Sequence, residues 1–165
     1  MPYELSQNRK KLYCQRLGVR VVLWVSGCTC YCKGCQNPQT WNFNSGKLFN
    51  VAAIQEICAE LEKPYISGLT LSGGHPLESN NIEVCTILCK YLKLRYPTKT
   101  IWLYTGWKWE EISHMEIMKY IDVVVDGQYI EEKKDITLKW RGSKNQRVID
   151  VQKSLANKTT VLLLD

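Results

Sequence analysis

Blocks of apolar and polar residues along the chain predict strands and helices in turn. A run rich in β-branched residues, Val19 to Val25, has the composition of a buried strand. Asn50 is a suitable N-cap for a helix predicted from Val51 to Glu62, where apolar positions recur at helical spacing. The same spacing predicts a second helix from Ile82 to Arg95, which Pro97 closes.

Shorter apolar runs complete the pattern. We predict strands at Gly68–Ser72, Thr100–Thr105 and Ile121–Asp126, a helix at Glu110–Lys119, and further strands at Arg147–Val151 and Val161–Leu164. Strand and helix thus alternate at least three times, which favours a parallel sheet with crossover helices. The expected fold class is α/β, in a single domain over residues 1–165 with its core at about residues 19–151.

Four of the predicted strands are followed by unusual residues. A cysteine-rich segment follows the first strand, Gly73-Gly74 the second, Thr105-Gly106 the third and Asp126-Gly127 the fourth. In parallel sheets, ligands bind beyond the carboxyl ends of the strands. We therefore expect the functional site at this edge of the sheet.

The cysteines indicate that this α/β domain binds a metal. The chain has 8 cysteines, four of which crowd into the segment Cys28–Cys35 (CTCYCKGC), as in metal-binding segments. Cys58, Cys85 and Cys89 instead fall on apolar faces of predicted helices, where a cysteine behaves as a small buried hydrophobe.

Charge and hydropathy indicate which binding partners and which cellular location to expect. The net charge is +6, but the basic residues are spread along the chain, so we expect a solvated surface and no nucleic-acid partner. A weakly basic face that meets an acidic protein or an anionic substrate is the alternative. The segment Met1 to Lys11 is polar and no apolar run is long enough for a membrane span, so we expect no secretory signal, no membrane partner and a cytoplasmic location.

Within the cysteine segment, Cys28, Cys32 and Cys35 have the spacing C-x3-C-x2-C. Three thiolates on one loop are suited to three irons of a [4Fe–4S] cluster, which leaves the fourth iron open to a substrate. Gly34 allows the loop to fold tightly. Cys30 leaves two alternatives open: a zinc site with four cysteine ligands, or a cluster in which Cys30 replaces one of the three.

The C-x3-C-x2-C spacing directly after a first strand resembles the radical S-adenosylmethionine (SAM) superfamily. Within it, the chain resembles the anaerobic ribonucleoside-triphosphate reductase-activating proteins over roughly residues 19–151. Five segments carry this resemblance in order: VSGCTCYCKGCQNPQTWN (Val25–Asn42), LSGGHPL (Leu71–Leu77), WLYTG (Trp102–Gly106), VVVDG (Val123–Gly127) and WRGSKNQ (Trp140–Gln146).

The resemblance implies a fold and an activity. The fold would be an open, partial (β/α) barrel of mostly parallel strands, of radical SAM type. The enzyme would cleave SAM reductively at the [4Fe–4S] cluster and abstract a hydrogen atom from a glycine of the reductase large subunit, which leaves a glycyl radical there. The implied partners are this large subunit and a reduced flavodoxin-like or ferredoxin-like electron donor. Alternatives are a radical SAM enzyme acting on a small molecule, and a non-catalytic four-cysteine zinc or iron–sulfur module.

The resemblance also assigns site residues, with no catalytic residue beyond the cluster. Cys28, Cys32 and Cys35 would ligate the cluster. Residues expected to contact SAM are Gly34, Cys35, Gln36, Gly73, Gly74, His75, Thr105 and Asp126. In this set Gly73 and Gly74 would offer backbone groups to the methionyl amine, and Thr105 and Asp126 would contact ribose or adenine. Asp126 has an alternative interpretation as a turn residue before Gly127.

The chain departs from the family pattern at three places. His75 stands where the family usually has Asp, and Gln36 where it has an aromatic residue or His. Before the first strand, only Gly18 and Arg20 of the usual N-G-x-G-x-R pattern are present. These departures concern the contacts to SAM and leave the three cluster cysteines in place.

Overall fold

A computed structural model describes residues 4–5, 13–15 and 18–164 of the chain. The two N-terminal segments and Leu164 are described by their backbone alone. Most of the polar segment Met1 to Lys11, on which the expectation about secretion depends, lies outside the described residues.

The described part of the chain contains nine strands and four α-helices. The strands are β1 (Glu4–Leu5), β2 (Tyr13–Gln15), β3 (Gly18–Val25), β4 (Lys47–Leu48), β5 (Ile66–Gly73), β6 (Thr100–Tyr104), β7 (Val123–Asp126), β8 (Arg147–Asp150) and β9 (Leu162–Leu164). The helices are α1 (Val51–Leu61), α2 (Ile82–Arg95), α3 (Trp109–Ile112) and α4 (Val151–Asn157), with 3₁₀ helices at Pro38–Thr40, Glu116–Lys119 and Glu131–Lys133. None of these helices is both long and apolar enough to cross a membrane.

Seven strands form one mixed sheet, in the order β2-β3-β5-β6-β7-β8-β9. Its centre, β3-β5-β6-β7, is parallel, whereas β2, β8 and β9 each pair antiparallel with a neighbour. Strands β1 and β4 form a separate antiparallel pair. The prediction of an α/β fold with a mostly parallel centre is confirmed, and the partial barrel stays a prediction.

The two faces of the sheet differ because side chains alternate along each strand. One face packs against the helices in a continuous core, to which β3 contributes Val21, Leu23 and Val25. The helix cysteines Cys58, Cys85 and Cys89 are buried in this core, as predicted. The opposite face lines a cavity with these residues of β3, β5 and β6: Arg20, Val22, Trp24, Thr70, Ser72, Trp102 and Tyr104.

The prediction of one continuous helix at Glu110–Lys119 is wrong. Helix α3 ends at Ile112, and a separate 3₁₀ helix runs from Glu116 to Lys119. Both Ile112 and Ile117 are fully buried. Residues five apart point about 140° away from each other on one straight α-helix, so a break lets both side chains reach the core.

The strand predicted at Arg147–Val151 is also shorter than expected. Strand β8 ends at Asp150, and Val151 begins helix α4 instead of ending the strand. The Asp150 side chain accepts a hydrogen bond from the Lys153 amide at 3.1 Å, which makes Asp150 the N-cap of the helix.

Candidate functional site

A cavity of about 440 Å³ lies at the carboxyl ends of the parallel strands and extends along the face of the sheet opposite the helices. The residues singled out from the sequence that line it are Cys28, Cys30, Cys32, Cys35, Gln36, Gly73, Gly74, His75, Thr105 and Gly106. Gly34 and Asp126 are not among its lining residues. The structure therefore brings together most of the expected site at the expected edge of the sheet.

The cysteine loop that follows β3 is held in place by backbone hydrogen bonds. The Gly27 amide donates to Thr40 O at 2.8 Å, and the Cys28 amide donates to Trp41 O at 3.1 Å. Gln128, which follows β7, donates from Nε2 to Cys30 O at 2.8 Å. The loop is thus attached both to its own returning segment and to the segment after β7, which lies three strands from β3 in the sheet.

Within the loop, the backbone folds tightly at the turn from Cys32 to Cys35. The Cys35 amide donates to Cys32 O at 3.0 Å, and Gly34 between them has a φ of 72°. A β-carbon at Gly34 would collide with the Glu131 carboxylate. The position of a Gly34 β-carbon is therefore taken by Glu131, and Gly34 itself is not among the lining residues of the cavity.

The surroundings shift the pKa values of three of these thiols, those of Cys28, Cys30 and Cys32. A hydrogen bond from Cys30 to Cys28 lowers the pKa of the Cys28 thiol to about 7 and raises that of Cys30. Burial raises the pKa of Cys32. The Asn37 amide donates to Cys35 Sγ at 3.4 Å.

The arrangement of these thiols fits a cluster better than a single ion. In the described part of the chain, no three Cys, His, Asp or Glu side chains converge on one point where a metal ion would bind. A four-cysteine zinc site needs such convergence. In a cubane each cysteine binds a different iron, so its ligands surround a larger volume. Three thiols that line one cavity meet this requirement, and Cys30 is engaged with Cys28.

The paired glycines after β5 pack against the end of β3. The Gly74 amide donates to Val25 O at 2.7 Å. A β-carbon on Gly73 would lie 2.7 Å from Val25 N and O, and one on Gly74 would lie 2.5 Å from Gly27 O. Both positions thus require glycine for close backbone approach, in addition to the role in SAM binding that the resemblance implies.

His75 is buried at the inner end of the cavity. Its amide donates to Gly27 O at 2.8 Å, and its Nε2 lies 2.7 Å from Thr105 Oγ1. The ring meets Trp107 edge-on at 4.5 Å between centroids. Burial lowers the pKa of His75, although Glu78 opposes the shift, so the imidazole is neutral at physiological pH.

Asp126 is bound to other side chains away from the cavity. Its buried carboxylate accepts a hydrogen bond from the Trp109 amide at 2.7 Å and forms an ion pair with Arg147. Arg147 also pairs with Glu110 at 2.9 Å. This arrangement joins β7, β8 and α3. These contacts explain why an aspartate occupies this strand end, with no need for a bound ligand.

Two cavity residues were missed as site residues from the sequence. Arg20 is buried, and its guanidinium donates to Thr70 Oγ1 at 2.9 Å and lies 5.1 Å from the centre of the Trp102 ring. Burial lowers its pKa to about 10. Trp140 has a φ of 61°, and Tyr104 donates to its carbonyl oxygen at 2.8 Å. A polar residue at alternate positions of an apolar strand was the available signal for Arg20.

Comparison with known proteins defines the class of the site. Residues 15–149 match the family model of a 4Fe–4S single cluster domain. The matched segment includes the cysteine loop and every lining residue of the cavity.

Relatives identify the family more closely. The chain is 49% identical over 132 residues to the anaerobic ribonucleoside-triphosphate reductase-activating protein of Enterobacteria phage T4, covering 79% of this chain and 83% of the relative. It is 44% identical to the protein of that name from Haemophilus influenzae (78% and 86% covered) and 40% identical to that from Escherichia coli K12 (79% and 88% covered). The chain belongs to the family of anaerobic ribonucleoside-triphosphate reductase-activating proteins.

Proposed function

We propose that this protein activates an anaerobic ribonucleoside-triphosphate reductase as a radical SAM enzyme. It would cleave SAM reductively at a [4Fe–4S] cluster and take a hydrogen atom from a glycine of the reductase large subunit, which then carries a glycyl radical. One observation carries the proposal: the C-x3-C-x2-C cysteines and the paired glycines after β5 line the same cavity.

Cys28, Cys32 and Cys35 are the proposed cluster ligands. Their thiols line one cavity without converging on a single-ion site, as a multi-iron group requires. When bound, the cluster supplies an open iron for SAM and the electron that breaks its sulfonium bond. Cys30 is proposed as a neighbour of the cluster, because its thiol is hydrogen bonded to Cys28.

The chain's own residues would bind and orient SAM. Gly73 and Gly74 line the cavity and are proposed to meet SAM through their backbone; a β-carbon at either would collide with the backbone of Val25 or Gly27. Gln36 and Thr105 line the same cavity and offer polar groups to SAM. Burial lowers the pKa of His75, which favours an uncharged ring in the cavity that would hold SAM. Aromatic walls such as Trp102 and Trp140 would exclude water from a reactive radical.

This chemistry implies a protein substrate, an electron donor and a cellular location. The large subunit of the reductase is the proposed substrate, in keeping with the name of the relatives. A reduced flavodoxin-like or ferredoxin-like protein is the proposed electron donor, and the cytoplasm the proposed location, since free thiols and reduced clusters need a reducing compartment. The sheet is proposed to curve as a partial barrel of radical SAM type.

The test is formation of a glycyl radical on the partner. The reconstituted protein, SAM, a reductant and a purified reductase large subunit are mixed without oxygen, and the large subunit is examined by EPR. The expected result is a protein radical that needs SAM and is lost in Cys32→Ala. If SAM is cleaved equally well without the large subunit and no protein radical forms, the small-molecule alternative is favoured. Zinc in place of iron would favour the non-catalytic module.

A further inference from the structure

Glu78 is a buried carboxylate that neither the sequence motifs nor the family resemblance singled out. It lies in the turn between β5 and α2, and only 7% of its surface is exposed. Its Oε1 accepts two hydrogen bonds from one residue, from the Thr29 amide at 2.9 Å and from Thr29 Oγ1 at 2.6 Å. Thr29 directly follows Cys28, so Glu78 holds the cysteine loop beside its first thiol.

Glu78 is in turn held by a chain of polar contacts. His75 Nδ1 lies 3.4 Å from Glu78 Oε1, an electrostatic contact that does not meet hydrogen-bond geometry. The other ring nitrogen of His75 is bonded to Thr105 Oγ1, which also accepts from the Trp107 amide at 3.1 Å. These contacts run from the loop after β3, through the turn after β5, to the loop after β6.

A second buried side chain closes the same turn. Asn81 Nδ2 donates to Ser26 O at 2.9 Å and to His75 O at 3.0 Å. Ser26 lies at the start of the cysteine loop, so the turn after β5 contacts this loop both before and after Cys28. The position of Cys28 thus depends on side chains from an element that supplies no cluster ligand.

We propose that Glu78 is a positioning residue for the cysteine loop, and that contacts with His75 and Thr105 hold Glu78 in place. The inference rests on the proposed function, because it assumes that Cys28 ligates a cluster. Glu78 fixes Thr29 and thereby the direction of the Cys28 side chain. His75 links this arrangement to the β6 end of the cavity, so the cluster loop and the SAM-binding side of the cavity are held in one unit.

The chemistry of the contact explains why an acceptor is needed at position 78. Thr29 is exposed and its two bonds to the buried Glu78 carboxylate are partly buried, so without this acceptor its amide and hydroxyl would turn to water. The Thr29 segment would then move toward water or another acceptor, and Cys28 would move with it. Glutamine retains an acceptor oxygen in nearly the same place, whereas leucine fills the space and offers none.

The experiment compares Glu78→Gln and Glu78→Leu in the full chain, reconstituted without oxygen. The rate at which a chelator removes iron is followed by absorbance, and the reduced cluster is recorded by EPR with and without SAM. Partners that orient metal ligands typically affect metal retention by 10- to 100-fold, so we expect iron loss from Glu78→Leu to be about 10-fold faster. Glu78→Gln should restore nearly the wild-type rate and EPR signal.

Two further variants separate positioning from general stability. Asp122→Leu is the matched control for Glu78→Leu, because Asp122 also accepts from a backbone amide, that of Ile101 at 2.6 Å, but outside the cavity. It should lower the melting temperature and leave iron release unchanged. Thr29→Val removes only the hydroxyl donor and should give an intermediate rate, which provides a test if Glu78→Leu does not fold.

The outcomes distinguish this inference from the proposed function. Iron release from Glu78→Leu and Thr29→Val at the wild-type rate, in protein that is folded, would overturn the role of Glu78 and leave the proposed function intact. If the wild-type protein binds no iron–sulfur cluster at all, the proposed function fails, and the inference fails with it.

Discussion

Gly74 lies against the carbonyl oxygen of Gly27, so closely that a β-carbon on Gly74 would come within 2.5 Å of that oxygen. The contact joins the end of β5 to the start of the cysteine loop. It makes the paired-glycine motif part of the support of the cluster loop as well as a wall of the cavity.

Replacing Gly74 by Ala should therefore damage the loop and the fold together. Backbone cannot move aside as a side-chain tip can, so we expect a loss of about 1–3 kcal/mol in the free energy of unfolding. Chemical denaturation of the apo protein measures it. Gly142→Ala is the control, because its β-carbon would meet the Tyr129 ring at 3.1 Å, a side chain that can shift. Equal stability of the two variants would contradict this account of Gly74.

Cys30→Ala should retain the cluster, whereas Cys32→Ala should lose it. The reason is that Cys28, Cys32 and Cys35 have the proposed ligand spacing, while the Cys30 thiol is hydrogen bonded to Cys28. Iron and sulfide content per chain after anaerobic reconstitution measures the difference. A cluster that survives in Cys32→Ala and is lost in Cys30→Ala would show that Cys30 is a ligand in place of Cys32.

Asp126→Asn should destabilise the protein without weakening its affinity for SAM. The substitution removes the charge that pairs with Arg147, whose side chain is partly exposed at 32%, so we expect a cost of about 2 kcal/mol. Glu110→Gln, on the more exposed side of the same Arg147, should cost about 0.5 kcal/mol or less. Denaturation and titration of the reconstituted protein with SAM test both expectations. A large loss of SAM affinity in folded Asp126→Asn would restore its predicted role in SAM binding.

Lys158→Gly should stabilise the chain. Lys158 ends helix α4 with a φ of 53°, in the left-handed region that glycine adopts without strain. We expect a gain of about 0.5–1 kcal/mol. Thermal unfolding measures it, with Ala156→Gly in the last turn of α4 as a control that should lose about 1 kcal/mol. A loss of stability in Lys158→Gly would contradict this view of the helix end.

Much of the fold could be predicted because its central strands are buried and apolar. Val19 to Val25 stands out as a strand by composition alone, and the alternation of strands and helices implies a parallel centre. The helix break after Ile112 depends on which side chains reach the core, and this is a tertiary property. The start of α4 had a local signal in Asp150, an N-cap residue at the end of a strand pattern.

The candidate site could be predicted where its residues are contiguous. The three proposed cluster cysteines lie within one loop, so their spacing indicates their chemistry directly. Contacts between distant segments have no such signal. Glu78 meets Thr29 across 49 positions and Asp126 meets Arg147 across 21, and only the packing of strand ends brings each pair together.

The central claim is that the chain carries a cluster with an iron open to SAM. The most direct measurement is low-temperature EPR of the anaerobically reconstituted and reduced protein, recorded with and without SAM. The account predicts a [4Fe–4S]⁺ signal that changes when SAM is added. Zinc without iron, or a cluster signal that SAM leaves unchanged, would contradict it.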